Sequence, residues 1–451
     1  MKPLFRLSKI CIIGMVMTLV GCSRFTAVDQ PIQHWSRDQG QHRISQAMAG
    51  RSSDLLVMVA FSGGGTRAAA FAYGALKELA ETEVTTEAGR TLLLHEIDLL
   101  SSVSGGSFTS AYYGLHGDRI FDDFEERFLR KNVQGVLLGR WLNPFYWVKR
   151  MSPAYSKTDL VAEYYDTHIF DHATFGDFTR SKAPMIIINS TDLAAGSRFP
   201  FTQPMFDLIC ADLDSYPVSR AVAASSAVPV LFSPITLKNY AGQCGFEPPA
   251  WLAEAARDEG LTSRKMEGRT LEAYLDRQKT PWFHLVDGGI SDNLGLRSFY
   301  DIVSLVGDPK SAFSALMHPV PRRILIISVN AHAKGRTEWA LKRYSPSLTE
   351  LLGSVSSNQI SRYSTDTIDI VRYAYTQWAS QLSTPERPVT FHFVDVSFDA
   401  VRDNEEREFL NTIGTNFNLS DKEVDHLISA ARRSLRESPA MKAFLGRDAS
   451  E

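Results

Sequence analysis

Leu55-Leu56-Val57-Met58-Val59-Ala60-Phe61-Ser62-Gly63-Gly64-Gly65-Thr66-Arg67-Ala68 decides the fold. Its first seven residues form a continuous apolar run, the pattern of a strand buried on both faces. Such strands belong to sheets covered by helices on either side. After the glycines, Thr66 to Glu81 carries apolar Ala69, Tyr73, Leu76 and Leu79 at helical spacing. The stretch therefore reads as strand, tight loop, helix.

The same alternation returns along the chain. A strand near Ile97 to Val103 precedes a helix from Ser107, and further runs cover Met185 to Asn189, Phe283 to Val286, Ile324 to Val329 and Phe391 to Val396. Strands interleaved with helices predict an α/β fold, three layers α/β/α around a central, mainly parallel sheet. Two stretches read as additions to this core: an aromatic-rich, helical one near 121–178, and one near 241–281 with Pro248-Pro249 and a charged helical piece. No inter-domain linker stands out, so residues 52–430 are expected to form one elaborated domain, with 431–451 a helical tail.

The chain has 451 residues, with 44% hydrophobic and 22% charged residues, a globular composition. Lys and Arg number 48 against 51 Asp and Glu, and no basic run could track a phosphate backbone, which argues against nucleic-acid binding. Residues 1–21 stand apart: Lys2, Arg6 and Lys9 flank an apolar run from Ile10 to Val20, the pattern of a secretory signal. The ending Leu19-Val20-Gly21-Cys22 resembles a bacterial lipoprotein signal, which implies a lipidated Cys22 as the mature N-terminus, the alternative being an ordinary signal peptide or an uncleaved anchor. With Ser23 rather than Asp after that cysteine, the resemblance to Gram-negative lipoproteins implies the outer membrane, facing the periplasm. Losing residues 1–21 removes three positive charges and no negative ones, leaving 45 against 51 and a net charge of −6. Residues 22–51 are polar and suit a tether. Cys210 and Cys244 are then the remaining thiols, open either to a disulfide or to burial as inert thiols. No CxxC, HExxH or His cluster points to a metal.

Three local patterns carry chemistry. Gly63, Gly64 and Gly65 allow a tight turn and present backbone N–H groups beside a helix N-terminus, a cradle for phosphate or an oxyanion. A dinucleotide site needs an acidic residue at the end of the next strand; Glu81, Glu83 and Glu87 all precede that strand, and no Walker lysine follows. Next, Leu99-Leu100-Ser101-Ser102-Val103-Ser104-Gly105-Gly106-Ser107 runs a strand into glycines and a helix. Ser102-x-Ser104-x-Gly106 is one residue short of the G-x-S-x-G elbow that pushes a serine hydroxyl out at a sheet edge. Finally, Phe283-His284-Leu285-Val286-Asp287-Gly288-Gly289 sets an aspartate at the carboxyl end of a strand, where ligands of parallel sheets gather.

In this order the three patterns resemble the patatin-like phospholipase family. Asn189-Ser190-Thr191-Asp192 and Ala223-Ala224-Ser225-Ser226-Ala227-Val228-Pro229 support the likeness, which extends from about Asp54 to Leu296, with a weaker tail through Asn416 to Leu427. The resemblance implies Ser104 as nucleophile, Asp287 as its base in a two-residue dyad, and the Gly63 to Gly65 backbone as oxyanion hole. Arg67, Gly105 and Gly288 are implied as supporting residues. Ser102 and Ala68 depart from glycines of the family pattern; Ala68 is harmless inside the first turn of a helix and strained at positive φ.

The implied activity is lipid acyl hydrolysis of phospholipid or lysophospholipid, with no cofactor, metal or nucleotide, by a protein anchored through Cys22. A Ser-His-Asp triad would need His284 or His332, and no motif sets either beside Ser104. The segment Val136 to Arg150 mixes Trp, Tyr and Phe with Arg and Lys, suiting either a lipid interface or a surface helix with snorkelling basic ends. The competing readings are a catalytically inactive lipid-binding or structural outer-membrane lipoprotein and, more remotely, a periplasmic dinucleotide enzyme.

Overall fold

The computed structural model describes residues 28–37, 40, 42–44, 51–143, 155–181, 184–229, 231–315, 319–334, 343 and 348–447. The signal segment 1–21, Cys22 and the aromatic residues 145–147 lie outside the described residues.

The elements that position the site are strand β1 (Leu55–Phe61), helix α1 (Gly65–Leu79), β2 (Ile97–Val103), α2 (Gly105–His116), α3 (Val133–Leu142), β3 (Met185–Asp192), β4 (Arg198–Phe201), α4 (Val218–Ser225), β5 (Ile235–Lys238), β6 (Trp282–Asp287), β7 (Arg323–Asn330), α5 (Leu348–Leu382), β8 (Thr390–Ser397), α6 (Asn404–Thr412) and α7 (Asp421–Arg436). Eight strands make one sheet in the order β8-β7-β1-β2-β3-β6-β5, with β4 also paired to β3. The first five of that order run parallel. β4 and β6 pair antiparallel with β3, and β5 pairs antiparallel with β6, which returns it to the direction of the parallel set. The central sheet is thus mainly parallel and flanked by helices, as the alternating apolar runs predict.

β1 shows why its sequence is apolar throughout. Successive side chains point to opposite faces of a strand. Leu55, Val57, Val59 and Phe61 join the core that holds α1, α2 and α7, while Leu56, Met58 and Ala60 join a second core with Phe299, Val371 and Tyr375. With each buried aliphatic side chain contributing roughly 1.5–3 kcal/mol, neither face tolerates a polar residue.

Two strands of this sheet escape sequence reading, Arg198–Phe201 and Ile235–Lys238, each of only four residues. A third finding corrects a direction: β6, which ends in Asp287, runs antiparallel to β3. Asp287 reaches the carboxyl ends of the parallel strands by arriving from the opposite side.

Domain limits change at both ends. The expected tether 22–51 is docked along its described part: Gln30–Pro31 pairs with Ala211–Asp212, and Asp29, His42 and Ile44 are buried. Ile32 and Trp35 donate backbone bonds to the carbonyls of Cys210 and Cys244, which are joined as a disulfide. Few apolar residues mark this segment, and strand pairing uses the backbone, so the sequence gives it no periodicity. At the other end, α7 runs unbroken across residue 430, and its Ala430, Ala431 and Leu435 lie in the core. A tail beginning at 431 would cut this helix; the domain continues at least to Phe444, itself buried. Among the described residues no helix is long and apolar enough to cross a membrane.

Candidate active site

The register of β3 brings the nucleophile and base together. Asn189 pairs with Val103 of β2 and with Pro200 of β4; Ser190 pairs with Asp287 of β6 and with Phe199 of β4. Because β4 occupies one edge of β3 at both positions, β2 and β6 share the other edge, end to end. The chain leaves β2 at Ser104 where β6 arrives at Asp287. A Cβ at Gly288 would overlap the Asn189 carbonyl oxygen, so this meeting of strand ends needs glycine there.

Ser104 has φ 49° and ψ −118°, an uncommon backbone state for a residue with a side chain, at the turn from β2 into α2. The turn aims the hydroxyl at Asp287: Oγ donates to Oδ2 at 2.9 Å. Both residues are nearly buried, 6% and 8% exposed. The other carboxylate oxygen accepts the Gly289 amide at 2.8 Å. Burial pushes the Asp287 carboxyl up from 3.8 to about 6, against the lowering effect of the Gly289 and Ser104 hydrogen bonds. The N-terminus of α2 points at Ser104, where its partial positive charge favours an alkoxide over the neutral hydroxyl.

Ser225, at the end of α4, holds both halves of this pair. Its Oγ accepts the Ser104 amide at 2.8 Å and donates to the Asn189 carbonyl at 2.6 Å, while its own carbonyl accepts the Gly288 amide at 3.1 Å. Ala227 O takes the Asp287 amide at 3.0 Å. Asn189 ties β3 to β2 through Nδ2, which donates to Ser101 Oγ at 2.9 Å and Ser102 O at 3.0 Å. The sequence marked these stretches only as part of a likeness; small polar residues in a strand or helix end carry no periodic signal that reveals such cross-links.

The glycine loop follows β1, beside the elbow, as Phe61 and Ser102 are register partners. Gly64 and Gly65 have φ of 140° and 62°, which a side chain would strain. A Cβ at Gly105 would overlap the Gly65 carbonyl oxygen, so loop and elbow touch backbone to backbone. The expectation that all three loop amides are available is corrected for Gly63, whose N–H donates to Asn293 O at 2.9 Å. The Gly64 and Gly65 amides have no acceptor among the described residues.

Both departures from the family pattern are accommodated. Ser102 accepts a bond from Ser110 Oγ at 2.6 Å and donates to Ile187 O at 3.3 Å, so its hydroxyl is satisfied in the buried turn. Ala68 lies in the first turn of α1 and has no positive φ. Arg67 is buried rather than exposed to the site's mouth; its Nη1 donates to Ile413 O at 2.5 Å, and burial lowers its guanidinium to about 10, still charged at neutral pH. Neither histidine completes a triad: His284 Nδ1 contacts Thr236 Oγ1 at 3.2 Å, and the bonds to the Asp287 carboxylate come from Ser104 and Gly289.

With this geometry in view, the chain belongs to the patatin-like phospholipase family, which matches residues 59–300, more than half of its length. That membership supports lipid acyl hydrolase activity. Among solved structures, the chain is similar to human GIVD cytosolic phospholipase A2, at 12% identity over 93% of this chain and 68% of that one, with a TM-score of 0.43. It is also similar to the same human enzyme in complex with methyl gamma-linolenyl fluorophosphonate, at 12% identity over 89% of this chain and 61% of that one, with a TM-score of 0.42. No curated protein matches.

Proposed function

We propose that this protein is a membrane-anchored lipid acyl hydrolase that cleaves phospholipid or lysophospholipid esters through an acyl-Ser104 intermediate, with Asp287 as the base. The observation that carries the reading is the buried 2.9 Å contact from Ser104 Oγ to Asp287 Oδ2 at a strained strand-to-helix turn.

A serine hydroxyl is a weak nucleophile until a neighbour takes its proton. As Oγ attacks the ester carbonyl, Asp287 accepts the proton, and the carbonyl oxygen gains the negative charge of a tetrahedral intermediate. The Gly64 and Gly65 amides are the donors offered to that oxyanion, each of the kind worth about 3–4 kcal/mol in serine enzymes. Collapse breaks the ester bond, and Asp287 returns its proton to the departing lysolipid or glycerol oxygen. Water then repeats the sequence on acyl-Ser104, giving a fatty acid and the free enzyme. A carboxyl near 6 is a stronger base than one at 3.8 and is still ionised at neutral pH, which suits it to this work.

Lipidation of Cys22 is the proposed anchor, in the outer membrane with the body in the periplasm. Cys22 precedes Val28, the first described residue, by six positions, so the docked body would stand within roughly 20 Å of the lipid. Tandem mass spectrometry of the mature N-terminus tests this: an unmodified N-terminus elsewhere would remove the anchor from the reading.

The hydrolase reading is tested on mature chain with Cys22 replaced, by fatty-acid release from phospholipid micelles and by fluorophosphonate labelling. Release and a label on Ser104, both lost in Ser104→Ala, are expected. An inert, folded parent that takes no label overturns it.

A further inference from the structure

The geometry points to the loop 413–416 as a positioning element of the glycine loop, with Arg67 as the clasp that holds it, so that the site needs a segment far outside residues 59–300. This inference rests on the reading of Gly64 and Gly65 as oxyanion donors.

The contacts are specific. Helix α1 begins at Gly65 without a side-chain cap, leaving first-turn amides in need of acceptors. The Asn416 carbonyl supplies one, accepting Thr66 N–H at 2.9 Å. Gly65 lies so close beneath it that a Cβ there would stand 2.6 Å from Asn416 O. One residue further along α1, Arg67 reaches back to Ile413 O at 2.5 Å, and its Nη2 and Nε lie 3.3 and 3.6 Å from where a Gly64 Cβ would stand. The guanidinium thus lies against Gly64 on one side and bonds the Ile413 carbonyl on the other.

The same loop is fixed from outside. Phe417 exchanges bonds with Gln134 of α3, accepting at 3.1 Å and donating at 3.3 Å. Its ring meets Phe108 of α2, edge-on at 5.8 Å between centroids. Beyond it, α7 packs on α1 so closely that a Cβ on Gly74 would stand 2.5 Å from Ile428 O, and Arg436 Nε bonds Glu78 at 2.7 Å. Residues 413–436 therefore grip α1 along its length, and only at its first turn does that grip touch the glycine loop.

A buried arginine beside a catalytic loop could instead bind substrate directly. The two roles separate in kinetics. A clasp acts on the geometry of the oxyanion donors, so its loss lowers kcat and Ser104 labelling equally for a short neutral ester and for phospholipid, with KM unchanged. A substrate contact raises KM for the charged phospholipid and spares the neutral ester.

Arg67→Met, Arg67→Lys and Phe417→Ala, which removes the ring that fixes the loop against Phe108, are compared with Arg436→Ala, which weakens the α1–α7 contact away from the loop. We expect Arg67→Met to slow Ser104 phosphonylation and ester kcat by about a hundredfold, the scale set by misplacing a catalytic group by an ångström. Arg67→Lys, which keeps one donor for Ile413 O, recovers part of the loss, while Arg436→Ala lowers the melting temperature with kcat unchanged. Hydrogen exchange supplies a readout independent of activity: in Arg67→Met, or in Phe417→Ala if the first variant fails to fold, the peptide spanning 62–68 exchanges at least about tenfold faster while the one spanning 250–274 is unchanged. Unchanged exchange over 62–68, or a KM effect confined to phospholipid, overturns the clasp. A parent without hydrolysis or label overturns the hydrolase reading instead, and the exchange experiment still decides the clasp.

Discussion

Val103 and Asp287 lie end to end on one edge of β3, facing the consecutive residues Asn189 and Ser190. The nucleophile that follows Val103 therefore meets a base 183 positions away without any loop having to carry either one. A site built on paired strand ends is held by backbone hydrogen bonds on both sides, which fixes the 2.9 Å contact more firmly than two mobile loops could.

Asp287 gives a test in which stability and activity move oppositely. Its carboxyl is raised to about 6 in the fold, against 3.8 when exposed, so ionisation opposes folding, and the cost grows from pH 3.8 to 6 and is constant above. Asp287→Asn removes the charge and keeps groups able to bond Ser104 and Gly289. At pH 8 the variant should be inactive and more stable by about 3 kcal/mol, the gain vanishing near pH 4. Thermal melts at the two pH values check this; equal stability at pH 8 would show that Asp287 is not desolvated.

The same carboxyl sets an acid limit on catalysis. The base must be ionised, so kcat/KM for a soluble ester should fall tenfold per pH step below about 6. A midpoint near 4 in the pH profile would contradict the buried setting of Asp287.

Ser225 should be a positioning residue. Ser225→Ala leaves the Ser104 amide and the Asn189 carbonyl buried without their partner, a loss of about 1–3 kcal/mol per group in stability. Labelling of Ser104 by fluorophosphonate should slow by about ten- to a hundredfold with KM for a short ester preserved. Labelling at the parent rate would remove Ser225 from the machinery.

The disulfide closes a loop of 34 positions and presents both of its cysteine carbonyls to the N-terminal segment. Replacing Cys210 and Cys244 by serine should cost about 3–4 kcal/mol, by the chain-entropy account of loops this long. Limited proteolysis should then cut within 28–37 before it cuts the sheet, while the rate per folded molecule stays near that of the parent. Unaltered cleavage kinetics would show that the segment is held without the bond.

Much of the fold is legible because burial leaves a pattern. Leu55 to Phe61 is apolar at every position since both faces of β1 meet a core, and the strand, glycine and helix order around Ser104 follows from the same cause. Four-residue strands such as β4 and β5 leave too short a signal. The direction of β6 is likewise silent, because Trp282 to Asp287 would look the same in a parallel strand.

What the sequence by itself determined is the set of elements and the chemistry at their ends: a buried strand into glycines, a serine at a turn, an aspartate closing a strand. Those features are local, written in apolar periodicity and in residues that only tight turns require. The tertiary structure alone decided how those ends meet and which amides are left without an acceptor among the described residues. Asn293 takes the Gly63 amide, Asn416 satisfies Thr66, and Ser225 joins Ser104 to Gly288, all through single hydrogen bonds between distant segments. Such bonds need one donor and one acceptor in register and leave no periodic trace, so they come into being only when the sheet fixes the distance between them.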